Sequence, residues 1–235
     1  MIVVEHLSKS YGAQQALDGI TFSALPGQVS GFLGPNGAGK STTMKLISGF
    51  LKPDQGKVEI CGINMATNSM EAKRLLGYLP ENNPLYLDLY VKEALEFMAD
   101  IHQIEHKKNR IAQVIEQTGL GPEQYKKIGM LSKGFRQRVG LAQAIIHDPQ
   151  VLILDEPSSG LDPNQSLELR ELIKSLAASK TVLFSTHQLQ EVEAICEQVL
   201  VISQGKLVAN QSKNSLLTTH PGKTLAEVFT QLTCN

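Results

Sequence analysis

Apolar residues along this chain come in two rhythms. Residues 29–33 predict a short strand running into a Gly-rich turn, and apolar runs at 151–154, 181–185 and 199–203 predict buried strands of a parallel sheet. Residues 1–7, 17–24 and 55–61 instead alternate or carry turn signals at their ends, which predicts a separate antiparallel element. From Tyr90 to His147 no strand-like run occurs, and Ile111, Val114, Ile115 and Thr118 recur at helical spacing. This predicts a mainly helical lobe, over about residues 84–147, inserted between strands. Near the end, Leu225, Val228, Phe229 and Leu232 predict one short amphipathic packing helix over about residues 224–232. With no 20–50-residue repeat and no low-complexity stretch, one domain over residues 1–235 is expected rather than a solenoid or an array.

Composition narrows the classes. At 235 residues and 42% hydrophobic, the chain can bury a core, and 19% charged residues are too few for a solvated disordered chain. A formal net charge of −1 offers no broad attraction for a phosphate backbone, so nucleic acid is not an expected partner and any bound anion needs a local grip. Cys61, Cys196 and Cys234 lie far apart without CxxC or Cys/His spacing; neither a disulfide framework nor a zinc site is expected, and a reducing cytoplasm is the default. Residues 1–11 alternate apolar and charged positions where a signal peptide would need a basic stretch and an apolar block. No apolar run approaches the ~18 residues of a membrane span. His106, Lys107, Lys108 and Arg110 read as a solvated helical face.

Gly34-Pro35-Asn36-Gly37-Ala38-Gly39-Lys40-Ser41-Thr42 fits G-x-x-x-x-G-K-S/T, between a strand and a helix starting at about Lys40, where that motif works. Glycines let backbone N–H groups converge on one anion, and the helix start adds about half a positive charge. Lys40 is placed to reach the β- and γ-phosphates and the Ser41 hydroxyl to ligate magnesium. This turn predicts a nucleoside triphosphate site and leaves kinase, GTPase, helicase and transport ATPase open.

Residues 151–154 run into Asp155-Glu156, two carboxylates at the carboxyl edge of a parallel sheet. Alone, such a pair reads as a solvated strand end. Beside a phosphate turn, Asp155 suits the magnesium shell and Glu156 suits a general base that poises water for in-line attack. Residues 181–185 lead in the same way to His187, placed to reach the same γ-phosphate, although a lone histidine is more often surface or core.

In this order the motifs resemble the ATP-binding cassette family over nearly the whole chain. The resemblance implies a P-loop NTPase (RecA-like) α/β core with an antiparallel β subdomain and an inserted α-helical subdomain. Tyr11 is similar to the family's adenine-stacking aromatic. Leu131-Ser132-Lys133-Gly134-Phe135-Arg136-Gln137-Arg138 resembles its LSGGQ signature, so Ser132, Lys133, Gly134 and Phe135 are expected to face the nucleotide of a second subunit. Ser159-Gly160-Leu161-Asp162 resembles the loop at the dimer seam, with Asp162 also a good helix start. The implied ligands are ATP and Mg2+. The implied assembly is a homodimer or heterodimer around two ATP, on separate membrane-spanning permease subunits at the cytoplasmic face of the inner or plasma membrane.

Three departures stand out. Glu81 occupies the family's Gln position, which keeps an oxygen for magnesium or water but loses the amide donor and adds negative charge. Lys133 replaces a Gly and is expected to point to solvent; Phe135 replaces a Gln and is expected to pack at the seam or the lobe. Residues 77–86 with Tyr90-Val91-Lys92-Glu93-Ala94-Leu95 resemble ATPase subunits of type-2 exporters, of the gliding-motility-associated and multidrug kind. Two other readings remain at this point: a nucleotide switch with little hydrolysis, motivated by Glu81 and Lys133, and a soluble cassette of an assembly complex.

Overall fold

The computed structural model describes residues 1–234. Strands β1 (Ile2–Tyr11), β2 (Gln14–Ala24) and β3 (Gln28–Leu33) lead into helix α1 (Lys40–Ile47), then β4 (Gln55–Ile60), β5 (Ile63–Asn64), α2 (Ser69–Arg74) and β6 (Leu76–Leu79). The helical lobe follows as α3 (Val91–Ile101), α4 (Lys107–Gln117) and α5 (Lys133–Ile145). The chain returns through β7 (Val151–Asp155), α6 (Pro163–Ala177), β8 (Thr181–Thr186), α7 (Leu189–Ile195), β9 (Gln198–Ser203), β10 (Lys206–Ser212), α8 (Lys213–Thr218) and α9 (Leu225–Thr233).

The strands form two sheets, an antiparallel one in the order β2-β1-β4-β5 and a six-stranded one in the order β10-β9-β3-β8-β7-β6. In the larger sheet β9, β3, β8, β7 and β6 are parallel and β10 closes one edge antiparallel to β9. Side chains on successive residues of a strand point to opposite faces, and here both faces are apolar. Leu152, Leu154, Val182, Phe184, Val199 and Val201 enter one core with the helical lobe and the later helices. Val151, Ile153, Leu183, Leu200 and Ile202 enter a second with α1 and the antiparallel sheet. That division is why these strands read as continuous apolar runs. Each large side chain so buried contributes about 1.5–3 kcal/mol relative to exposure.

The lobe is fastened to the core at the carboxyl end of α5. Arg110 of α4 donates to the carbonyls of Ile145 and Ile146 at 2.6 and 2.8 Å, satisfying helix-end acceptors that have no partner in the helix. Its side chain is only 15% exposed, so the expected solvated basic face is corrected at this position; Lys107 pairs with Asp100 at the surface. His147 donates from Nε2 to the Leu76 carbonyl at 3.1 Å, since a carbonyl can only accept. Its ring stacks on His102 with centroids 4.0 Å apart.

Burial, with the nearby His102, pushes the His147 imidazole down to about 4 from 6.5, and Arg110 and Lys180 act in the same direction. The unfolded chain binds a proton near 6.5 that the folded chain refuses. This contribution to stability is therefore complete above pH 6.5 and is lost as pH falls from there toward 4. The Tm of the protein is expected to fall more steeply between pH 7 and 5 than that of His147→Gln, whose amide keeps a donor for Leu76. Parallel Tm profiles from thermal melts would refute this assignment.

Candidate functional site

Parallel register brings three strand ends to one edge. Leu33 of β3 pairs with Thr186 of β8, and Asp155 of β7 pairs with Ser185. The phosphate turn leaves β3 at that edge and enters α1, whose start no side chain caps and whose first turn holds no acidic residue. Its amide hydrogens are thus left for an anion. Gly39, at the cap, has φ 112, and a Cβ there would lie 2.8 Å from the Ala16 carbonyl oxygen. Only glycine fits so tight a left-handed position.

Lys40 is 6% exposed and folds back along its own turn, donating to the Gly34 and Pro35 carbonyls at 2.8 and 3.3 Å. Its Nζ also lies 3.4 Å from Glu156 Oε1. His187 donates from Nδ1 to Glu156 Oε2 at 2.8 Å, so both oxygens of this buried carboxylate have cationic or N–H partners. Asp155, 1% exposed, accepts from Ser185 at 2.5 Å and from Ser41 at 3.4 Å, both at Oδ1. Burial pushes its carboxyl above the ordinary range; the Ser185 and Ser41 hydrogen bonds oppose that, and Glu81 and Glu156 add to it.

A cleft of about 770 Å³ opens on this edge. Tyr11, Asn36, Gly37, Gly39, Lys40, Ser41, Thr42, Glu81, Glu156 and His187 all line it. Gly34 and Pro35 hold Lys40 behind its wall, Ala38 is buried beneath the turn, and Asp155 lies under Ser41. Tyr11 is half-exposed at the margin.

The signature group lies elsewhere. Ser132 caps α5 by accepting the Phe135 N–H at 3.3 Å, and Phe135 packs against the core shared with the lobe. Lys133 is exposed but its ammonium rests over Gly160, where a Cβ would come within 2.2 Å of Nζ. Buried Gly134 meets the Gln165 side chain. Asp162 caps α6, accepting from the Gln165 N–H at 2.9 Å. A neighbouring cavity reaches from Lys133 to Glu81, Glu156 and Ser159.

Sequence reasoning missed part of the wall: Gln14, Gln15 and Ala16 of β2, Ser159, and Gln204 and Gly205 of the turn before β10. Gly205 donates to the Ala38 carbonyl at 3.0 Å and accepts from the Asp18 N–H at 2.9 Å, stitching the phosphate turn to β2. The Gln-Gly pair after an apolar run was the available turn signal.

The residues at hand fit magnesium. Asp155, Ser41 and Glu81 present hard oxygens, and the buried Tyr78 hydroxyl has no hydrogen-bond partner among the described residues; burial, with Asp155 and Glu81 nearby, pushes its phenol up. Among the described residues no group of three or more His, Cys, Asp and Glu side chains is placed to hold a metal.

Known proteins resemble this chain in sequence and in fold. The ABC transporter family matches residues 17–159. The bacitracin transport ATP-binding protein BcrA of Bacillus licheniformis is 42% identical over 210 residues, covering 88% of this chain and 68% of its own. The Nod factor export ATP-binding protein I of Ralstonia nicotianae is 35% identical over 97% of this chain and 72% of its own. A solved ATP-binding subunit of an ABC transporter superposes with a TM-score of 0.90 at 30% identity, covering 99% of both chains. On these grounds the chain belongs to the ABC transporter family, as one of its ATP-binding subunits.

Proposed function

We propose that this chain is the magnesium-dependent ATPase of an exporter, peripheral at the cytoplasmic face of the inner or plasma membrane. It pairs with a second ATP-binding subunit, identical or related, and drives separate membrane-spanning permease subunits. The observation that carries this reading is the single cleft that gathers Tyr11, the phosphate turn, Glu81, Glu156 and His187.

In this reading Tyr11 stacks on adenine and the amides of residues 34–42 take the phosphates. Lys40 exchanges the carbonyls of Gly34 and Pro35 and the Glu156 carboxylate for the β- and γ-phosphates. Magnesium, when bound by Ser41 and Asp155 with Glu81 at the rim, supplies neutralisation of charge on those phosphate oxygens. Glu156, released from Lys40 and steadied by His187, accepts the proton of the attacking water. Ser132, Lys133, Gly134, Phe135 and Asp162 lie outside the cleft of their own chain, a placement that supports action at a partner subunit's nucleotide.

The permease has a suitable landing. Tyr86, Leu87 and Phe97 are 65%, 54% and 47% exposed around a cavity of about 540 Å³, a few residues beyond Glu81. Tyr86 and Phe97 meet edge to face with centroids 6.2 Å apart. Among the described residues no helix is long and apolar enough to cross a membrane, so a patch of this kind suits contact with a separate membrane protein. The outward direction is supported by the exporter-like pattern after Glu81 and by the relative named for Nod factor export.

Replacing Glu156 by Gln is expected to lower turnover by roughly 10²–10⁴ while ATP still binds; full steady-state ATPase activity in that variant would reject Glu156 as base. Tyr11→Ala is expected to weaken ATP by about 0.5–1.5 kcal/mol and Tyr11→Phe to retain it, as read by equilibrium titration. For the landing surface, Phe97→Asp is expected to abolish co-purification with membrane subunits at unchanged ATP affinity. Intact co-purification of that variant would move the docking surface elsewhere.

A further inference from the structure

Ser185, the last but one residue of β8, lies directly opposite Asp155 of β7 and is fully buried. Its hydroxyl is committed twice. It donates to Asp155 Oδ1 at 2.5 Å and accepts the Glu156 backbone N–H at 3.0 Å. The same N–H reaches the Ser185 carbonyl at 3.2 Å. A hydroxyl has one hydrogen to give, so giving it to Asp155 while receiving from Glu156 fixes its rotation.

Both neighbours need such a fixture. Glu156 has φ 48, a backbone region that residues with side chains rarely occupy, and its carboxylate must still reach Lys40 and His187. Asp155 receives only two side-chain hydrogen bonds among the described residues, from Ser185 and Ser41, and both fall on Oδ1. Oδ2 is left for a cation. Once Ser41 turns to that cation, Ser185 is the side chain that still holds the Asp155 carboxylate in plane.

We infer that Ser185 is a positioning residue for ATP hydrolysis: one hydroxyl aims the Asp155 carboxylate at the cation and sets the backbone from which Glu156 reaches water. This rests on the reading of Asp155 as cation ligand and Glu156 as base. Partners that orient metal ligands typically cost about 10–100-fold in metal affinity or activity when removed.

Calorimetry on the full chain tests it, with ATP titrated in magnesium and, separately, in EDTA. Ser185→Ala is expected to weaken binding in magnesium by about 10-fold or more and to leave binding in EDTA unchanged, because the phosphate turn and Tyr11 are untouched. Ser185→Thr, which keeps the hydroxyl, is expected to restore the magnesium dependence. Unchanged magnesium dependence in Ser185→Ala, or an equal loss in magnesium and in EDTA, would overturn the role. Asp155→Asn separates the two layers: if it removes the magnesium dependence while Ser185→Ala does not, only the positioning role fails. If neither variant alters it, Asp155 is not the ligand and both readings fall.

Discussion

Parallel pairing of β3, β8 and β7 is the constraint on which the site depends. The chain enters the phosphate turn from one of these strands, delivers Asp155 and Glu156 from another, and Ser185 and His187 from the strand between them. Ser41 of the phosphate turn lies 114 positions from Asp155, and Ser185 a further 30 beyond it; only the sheet register makes them neighbours. A slip of one residue would send Asp155 to the opposite face. The two apolar cores on either side of the sheet oppose such a slip, because every strand would have to exchange its buried faces at once.

Charge at this edge is balanced internally. Lys40 and Glu156 are both nearly dry, and each would be costly to bury alone. Here they answer one another, with the Gly34 and Pro35 carbonyls and His187 completing their shells. The Lys40 ammonium is thus not bare. Any anion that takes this ammonium exchanges one set of partners for another. This also explains how a chain of net charge −1 can hold a polyanion: the favourable field is confined to one turn, one side chain and one helix start.

Much of this was legible in the sequence, for physical reasons that differ by element. The central strands announced themselves because both faces are apolar, and the phosphate turn because its glycines and Lys40 serve a geometry few other residues can adopt. The pair Asp155-Glu156 took meaning from its place after a buried strand. By contrast β5, with two residues, and the short helices α2 and α8 carry too little periodicity to be seen. Strand β10 alternates exposed and half-buried residues at a sheet edge, where apolar patterning is weakest. Arg110 was misread because its partners, the last carbonyls of α5, lie 35 and 36 residues away and nothing local marks them. Ser185 looked like one more strand residue, since its significance comes from the residue paired across from it.

The Arg110 clasp also bears on how the molecule breathes. A guanidinium that closes the end of one lobe helix from another makes α4 and α5 open together in any local unfolding event, so their amides belong to one cooperative unit. The stacked His102 and His147 rings extend that unit to the end of α3.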